Sequence, residues 1–352
     1  MQEVGYFRPE RSLSRNKNKR MISGPFRYLV LTILLTLQAY SLCGQAFGGI
    51  PFLERADTLH PGRFWTCAAG GAVIYTGVSI ALWHSWYKDY DIGPFHSFND
   101  WGEWEHMDKW GHVFTAYNEA NWSFQGALWT GMDRRKAMWT GVGVSLLLQS
   151  TVETMDGFSE KWGFSWSDCG FNLLGAGIFA AQEITWGEQR VVFKVSNSLP
   201  GYPDDLVPSL DQQASMTLSG RAEELFGKPG YQRFLKDYNG QTIWLSGNIH
   251  AFLKEESRFP KWLNVAVGYG AENMYAGYGY EWESEGKTFH VDAGKYPRYS
   301  QFFLAPDVDF LRIPTKSRLL KTVFGVLNFI KIPSPALEVN TLGKVRVRGV
   351  YW

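Results

Sequence analysis

The sequence has few cysteines, no excess of either charge and no motif that names a reaction. Its 352 residues hold 35 Lys and Arg against 34 Asp and Glu, which excludes the polybasic composition of nucleic-acid-binding proteins and any acidic tail. The mean hydropathy of −0.22 argues against a polytopic inner-membrane transporter. Neither a Gly-rich phosphate loop nor a His-Glu-x-x-His motif is present, and no serine lies in a nucleophile elbow. The sequence therefore predicts a location more readily than a reaction.

The first 44 residues have the three parts of a secretory signal peptide. Seven cations lie in residues 1–27, an apolar run covers residues 28–37, and a more polar stretch ends at Gly44. The apolar run is shorter than the ~20 residues that span a bilayer. We expect cleavage after Gly44, and the alternative is an uncleaved anchor. The residue before Cys43 is not small, which argues against lipidation of that cysteine.

Only Cys67 and Cys169 remain after this cleavage, so the mature chain can form at most one disulfide. Both lie among apolar and small residues, where a free buried cysteine is the commoner state. Export without a disulfide framework indicates a Gram-negative envelope rather than a small secreted scaffold.

Aromatic residues and glycine are abundant, and the hydrophobic period changes along the chain. Sixteen Trp and 17 Tyr suit packed helices or β-structure at a bilayer interface. Residues 45–190 predict a four-helix bundle and residues 191–237 an irregular connector. Residues 238–352 alternate with a period of two and predict antiparallel β-structure ending on Trp352. The predicted fold class is α+β, with a membrane-associated β-rich half, because outer-membrane β-proteins often end on an aromatic residue. The alternative for this half is a soluble sheet.

Polar side chains recur at helical spacing on three of the four predicted helices, which are otherwise apolar. They are Asp108, His112, Thr115 and Glu119 on the second helix, Gln149, Glu153 and Asp156 on the third, and Asp168 and Asn172 on the fourth. A lone buried carboxylate would become neutral, so several together indicate mutual hydrogen bonding, a bound cation or a chemical role. A structural network that fixes helix register would involve Asp108, Glu119, Gln149 and Asn172.

Two further interpretations of this polar stripe stay open. A divalent metal could be held by His112, Glu153, Asp156 and Asp168, since oxygen ligands with one imidazole suit such ions. A catalytic site would use His112 as general base, with Glu153 and Asp168 as the other candidates.

Three motifs carry a resemblance to a known family. They are Asp108-Lys-Trp-Gly-His112, Glu153-Thr-Met-Asp156-Gly-Phe-Ser159 and Gly163-Phe-Ser-Trp-Ser-Asp168-x3-Asn172-x2-Gly175. Together they resemble the YfiM-like family of uncharacterised predicted periplasmic lipoproteins, as a larger Bacteroidota-type member, and are loosely similar to VanZ-like membrane proteins. The resemblance covers roughly residues 60–190 and implies an envelope location and these site residues, but no reaction. The chain lacks the family's lipobox, so we expect the β-rich half to provide membrane attachment.

The leading functional prediction is an outer-membrane-associated accessory or structural subunit of an envelope assembly or export complex, exposed to the periplasm. Its expected partners are an outer-membrane protein complex and membrane lipid, not nucleic acid. The alternative is a membrane-facing enzyme that acts on lipid or glycan through the His/Asp/Glu cluster, with or without a divalent metal. A small pore is a third alternative.

Overall fold

The computed structural model describes residues 51–352 except residues 89 and 229, and the predicted signal peptide lies outside these residues. The helices in chain order are α1 Pro61–Leu82, α2 Met107–Trp129, α3 Arg134–Phe158, α4 Trp166–Thr185, α5 Leu218–Phe226, α6 Tyr231–Lys236 and α7 Arg318–Leu327. The strands are β1 Val191–Asn197, β2 Leu206–Pro208, β3 Ser215–Thr217, β4 Gln241–Asn248, β5 Leu263–Glu272, β6 Glu281–Ser284, β7 Lys287–His290, β8 Tyr299–Val308, β9 Ser334–Asn340 and β10 Val345–Tyr351. Long helices followed by antiparallel strands confirm the α+β class.

Three of the long helices, α2, α3 and α4, pack closely together because glycines lie at their crossings. A Cβ atom on Gly141 of α3 would overlap the carbonyl oxygen of Ala120, and one on Gly175 of α4 would overlap that of Val113. Close backbone approach of this kind needs a residue without a side chain.

The fourth member of the predicted bundle, α1, lies outside this trio. Tyr75 hydrogen-bonds Thr151 of α3 at 2.9 Å, but Arg63 is the only buried residue of the helix. Gly70, Gly71 and Gly77 of α1 face open space rather than a neighbouring helix, so they create no close crossing. The bundle is therefore three central helices with α1 against one side.

A six-stranded antiparallel sheet, in the order β1-β4-β5-β8-β9-β10, forms the second layer. Its first strand, Val191–Asn197, belongs to the segment that the sequence predicted as an irregular connector. That prediction is wrong for these seven residues, because the helix-breaking Pro-rich stretch starts only after them, at Pro200. The rest of the segment contains the β2–β3 hairpin and helices α5 and α6.

The two faces of this sheet differ in an unusual way. A row of apolar residues runs across five strands in register, namely Leu245, Val267, Leu304, Leu337 and Val347. All five are exposed, Val267 by 54% and Val347 by 81%. The opposite face buries charged side chains among apolar ones.

The buried charges of that face are paired. Lys194 lies 2.9 Å from Asp307, and buried Glu338 lies 2.6 Å from Arg348, which is partly exposed. The described helices cover the apolar face only at its β1 end, where Phe193 and Ile243 are buried, so the row from Leu245 to Val347 is the uncovered remainder of that face.

Helix α2 joins the two layers. The ring of Tyr117 packs 5.3 Å from that of Phe193 on β1, and Asn118 donates to the Phe193 carbonyl. Residues 53–352 form one compact unit.

Candidate functional site: a buried ion cluster at the start of α2

A left-handed turn sets the direction of α2. Trp104, Glu105 and His106 have φ angles of 52°, 50° and 61°, a conformation that costs about 1–2 kcal/mol for each L-residue. Tertiary contacts hold it: the Trp104 amide donates to the Gly277 carbonyl at 2.9 Å, and Arg298 lies 2.6 Å from the Glu105 carboxylate. The turn lies directly before the first polar residues of α2.

Lys109, in the first turn of α2, is at the centre of the site. Its ammonium is fully buried and lies 2.6 Å from Asp168, 2.7 Å from Asp100 and 3.0 Å from Asp108. The Tyr238 hydroxyl donates to the second oxygen of Asp108 at 2.8 Å. One cation therefore joins carboxylates from a loop, from its own helix and from α4.

Serine hydroxyls complete the coordination of Asp100. Ser165 and Ser167 donate to its Oδ1 at 2.7 and 2.8 Å. Ser165 Oγ also accepts from the backbone amide of Asp168, so Ser165 is the N-cap of α4. The cap thus links the start of α4 to the ion cluster.

His112 lies one turn after Asp108 and faces four polar partners. Its Nδ1 is 3.0 Å from the amide oxygen of Asn172 and 3.7 Å from Glu153, while its Nε2 is 3.9 Å from Asp108 and 3.7 Å from Asp168. The side chain is 15% exposed. The imidazole therefore lies between carboxylates on both of its nitrogen edges.

Charges in the site are nearly balanced by its own groups. Burial lowers the pKa of His112, but the carboxylates of Asp108, Asp168 and Glu153 outweigh it and raise that pKa to about 9. Burial likewise opposes the charge of Lys109, yet Asp108 and Asp168 hold its pKa above the ordinary value. Both bases are therefore cationic at neutral pH.

The acids differ in how strongly the site favours their ionised form. Burial raises the pKa of Asp100, but hydrogen bonds with Asp168, Lys109 and Ser165 outweigh it and hold that pKa at about 2. Burial raises the pKa of Glu153 to about 8 and that of Asp168 to about 7.

Glu153 has the poorest hydrogen bonding in the cluster. Its side chain is 1% exposed, its Oε2 accepts from the Ser165 amide at 3.3 Å, and its Oε1 has no hydrogen-bond partner among the described residues. A buried oxygen without a donor favours the protonated acid, in agreement with the raised pKa.

The structure places the other predicted stripe residues in separate pairs. Asp156 accepts from the Tyr87 hydroxyl at 2.7 Å, and Gln149 donates to Glu119 at 2.9 Å. The Thr115 hydroxyl bonds the Gly111 carbonyl within its own helix. The stripe is thus one central cluster with two neighbouring pairs.

Sequence reasoning missed Lys109, Asp100 and Tyr238. Lys109 follows Asp108 directly in the sequence. Adjacent residues lie about 100° apart around a helix, so the spacing that defines the polar stripe does not include Lys109. Asp100 comes from a loop and Tyr238 from the far half of the chain, so only the tertiary fold brings them in.

The residues do not fit a resident divalent metal. Ligand atoms of Asp108, His112 and Asp168 lie within 4.8 Å of one another. Lys109 already bonds both of these carboxylates, so a divalent ion would meet an ammonium ion beside it. Asp156 of the predicted metal set bonds Tyr87 instead.

An apolar cavity of about 290 Å³ opens beside the Asp156 pair. Tyr87 lines this cavity, and its hydroxyl donates to Asp156 of α3, the helix that also carries Glu153 of the ion cluster. The remaining lining residues are Trp83, Tyr90, Asp91, Ile92, Thr154, Met155, Phe158 and Ser159.

Residues 98–182 match the model of a family described as predicted periplasmic lipoprotein (DUF2279). This stretch contains α2, α3 and most of α4, together with every residue of the central cluster except Tyr238. The match agrees with the resemblance to predicted periplasmic lipoproteins and is compatible with an envelope location. No curated protein and no solved structure matches the chain.

Proposed function

We propose that this protein is a non-enzymatic, membrane-attached subunit of an envelope assembly or export complex, located at the outer membrane with its ion cluster as a rigid internal joint. The observation that carries the proposal is the exposed apolar row on five strands of the sheet. Contiguous exposed apolar surface of this kind marks contact with a membrane or a protein partner.

The register of the sheet supports lipid as the covering medium. Neighbours of the row on the same face, Phe302 and Val339, are also apolar and exposed, and the charged residues of these strands, Asp307 and Glu338, lie on the opposite face. A lipid-facing sheet has this arrangement, with apolar side chains outward and polar ones inward.

Helix α1 supplies a second apolar surface. It is 22 residues long, with a mean hydropathy of 1.4 in its most apolar window, and is long and apolar enough to cross a membrane. Exposed Trp65, Val73 and Ile74 lie along it. We infer that α1 enters the bilayer and holds the chain there.

The ion cluster supports a structural role for the helical layer. Lys109 and His112 are held as cations by surrounding acids, and a protonated imidazole does not act as a general base at neutral pH. The cluster joins α2, α4 and the loop at Asp100, so it fixes their relative positions. If the chain is related to YfiM-like and VanZ-like proteins, we expect those proteins to have an equivalent cluster at the motifs that contain Asp108, Glu153 and Asp168.

Gentle isolation of the mature protein from separated inner and outer membranes tests this function. We expect recovery from the outer membrane in a stable complex whose other members can be identified by mass spectrometry. A soluble periplasmic monomer, or a membrane monomer without a stable partner, would contradict the proposal.

A second candidate is an enzyme that acts on lipid or glycan. Two observations favour it: Oε1 of Glu153 accepts no hydrogen bond from the described residues, and an apolar cavity lies beside Tyr87. Glu153→Gln keeps the size and hydrogen bonding of the protonated acid. A folded, abundant Glu153→Gln protein that has lost its cellular phenotype would favour chemistry over a structural role.

A further inference from the structure

Helix α7 has an apolar face that nothing in the described chain covers. Leu319, Leu320, Val323, Val326 and Leu327 are all exposed, by 38% to 56%. At 100° per residue, they occupy one side of the helix. The helix is held at the edge of this face, where the ring of Phe324 stacks on Phe310, and from its other side, where Gly325 faces Leu311.

The polar side of α7 and the loop before it carry charge of one sign. Arg312, Lys316, Arg318, Lys321 and Lys331 are the ionisable residues between Asp309 and Glu338, and no acid lies among them. Arg312 is already paired with Asp309 and with Glu188. Lys316 and Lys321 have no anionic partner in the described part of the chain, and both line an open depression of about 490 Å³.

The position of α7 relates it to the apolar helix α1. Arg318, its first residue, forms an ion pair with Glu54, and the Glu54 carbonyl accepts from Arg63 in the first turn of α1 at 2.5 Å. The basic end of α7 thus lies beside the start of α1. If α1 enters a bilayer there, this end is at the level of the phosphate groups.

We propose that α7 lies in the plane of the membrane, with its apolar face in the lipid and with Lys316 and Lys321 bound to the phosphates of anionic phospholipids. A short helix with an apolar face and a basic face binds membranes in this way, by apolar burial and by attraction to anionic lipid. The inference rests on the proposed membrane attachment and adds to it a lipid class and a binding element.

A fluorescent probe on a single cysteine tests this proposal. The mature chain, with Cys67 and Cys169 changed to alanine, carries the environment-sensitive dye NBD at Val323→Cys or, as a control, at exposed Glu256→Cys. Each protein is reconstituted into vesicles of phosphatidylcholine, with or without phosphatidylglycerol, and floated on a density gradient. We expect blue-shifted emission for the Val323→Cys probe with phosphatidylglycerol, and water-like emission for the Glu256→Cys probe in both vesicles.

Charge variants then test the headgroup contact. Near an anionic surface each lysine contributes about 1 kcal/mol, a fivefold change in an equilibrium. Lys316→Gln with Lys321→Gln should therefore lower the equilibrium constant for binding of α7 to the lipid surface by about fivefold for each lysine removed. The matched pair Lys254→Gln and Lys344→Gln, both exposed elsewhere, should leave the signal unchanged.

The outcomes separate this inference from the proposed function. A protein that floats but shows a water-like Val323→Cys probe in both vesicles overturns the role of α7 alone. Equal blue shifts with and without phosphatidylglycerol overturn the headgroup contact. A protein that does not float with either lipid overturns membrane attachment itself, and the α7 proposal with it.

Discussion

Lys109 and Asp168 form an ion pair at 2.6 Å between α2 and α4, with the lysine ammonium fully buried. The lysine also neutralises Asp100 and Asp108, so its removal would leave three acids without their shared cation. The pair therefore holds the helical layer together as part of a cluster rather than as an isolated contact.

Lys109→Met should destabilise the protein by about 3–5 kcal/mol, the usual cost of breaking a buried ion pair by removing one partner. Denaturant unfolding of the purified protein measures this change. Lys136→Met, at an exposed position of α3, is the matched control and should change stability by less than about 0.5 kcal/mol. Equal effects of the two substitutions would show that Lys109 has no special role.

His112 should make stability depend on pH above neutrality. Its pKa is raised to about 9 from 6.5, so its contribution is complete below pH 6.5 and is lost as pH rises through about 9. The shift corresponds to at most about 3 kcal/mol. His112→Gln should reduce the loss of stability between pH 6.5 and 9, most clearly above about pH 8, where Glu153 no longer contributes. A variant with the wild-type slope there would contradict the assigned charge.

Glu153 should behave as a buried neutral acid. Its pKa is raised to about 8 from 4.5, so stability is favoured below pH 4.5 and declines as pH rises through about 8. Gln at this position stays neutral, so the free energy of unfolding of Glu153→Gln should rise relative to that of the wild type between pH 4.5 and 8. Unfolding free energies at pH 5 and pH 9 check this. A Gln variant less stable than the wild type at pH 9 would refute the neutral state.

Two glycines of α3 provide an internal control for helix packing. Gly141→Ala places a methyl group against the Ala120 carbonyl and should cost about 1–3 kcal/mol. Gly143→Ala lies on the same helix, faces open space and should stabilise by about 0.5–1 kcal/mol. Thermal or denaturant unfolding of the two variants should therefore move in opposite directions. Movement in the same direction would contradict the described crossing.

The sequence was sufficient to predict the fold class and the polar stripe, because both follow from local periods. Asp108 and His112 share a face at i and i+4 by helix geometry alone. The cation of the cluster could not be assigned in this way, since Lys109 reaches its partners along a flexible stem and Asp100 lies in a loop. Val191–Asn197 contains β-branched and aromatic residues that favour a strand, but the Pro-rich stretch after it obscures the boundary.

The glycines of α1 explain why the sequence predicts a bundle of four helices rather than three. Small residues in α1 have the same pattern as those at the crossings of α3 and α4, and periodicity alone cannot distinguish a glycine that faces a helix from one that faces open space. Gly141 meets Ala120, whereas Gly70 and Gly77 meet nothing within 4 Å.

The covering of the apolar row on the sheet is the central claim, and thiol accessibility in isolated envelope vesicles tests it most directly. In a background without Cys67 and Cys169, Val267→Cys and the off-row control Leu253→Cys are treated with a charged, membrane-impermeant thiol reagent. Both wild-type side chains are exposed in the chain itself, by 54% and 46%. We predict that Cys at position 267 stays unreacted until detergent is added, while Cys at 253 reacts with and without detergent. The vesicles are opened by freeze-thaw so that the reagent reaches both sides of an undissolved membrane. Equal reaction of both positions before detergent is added would show that water covers the sheet, and would contradict the account.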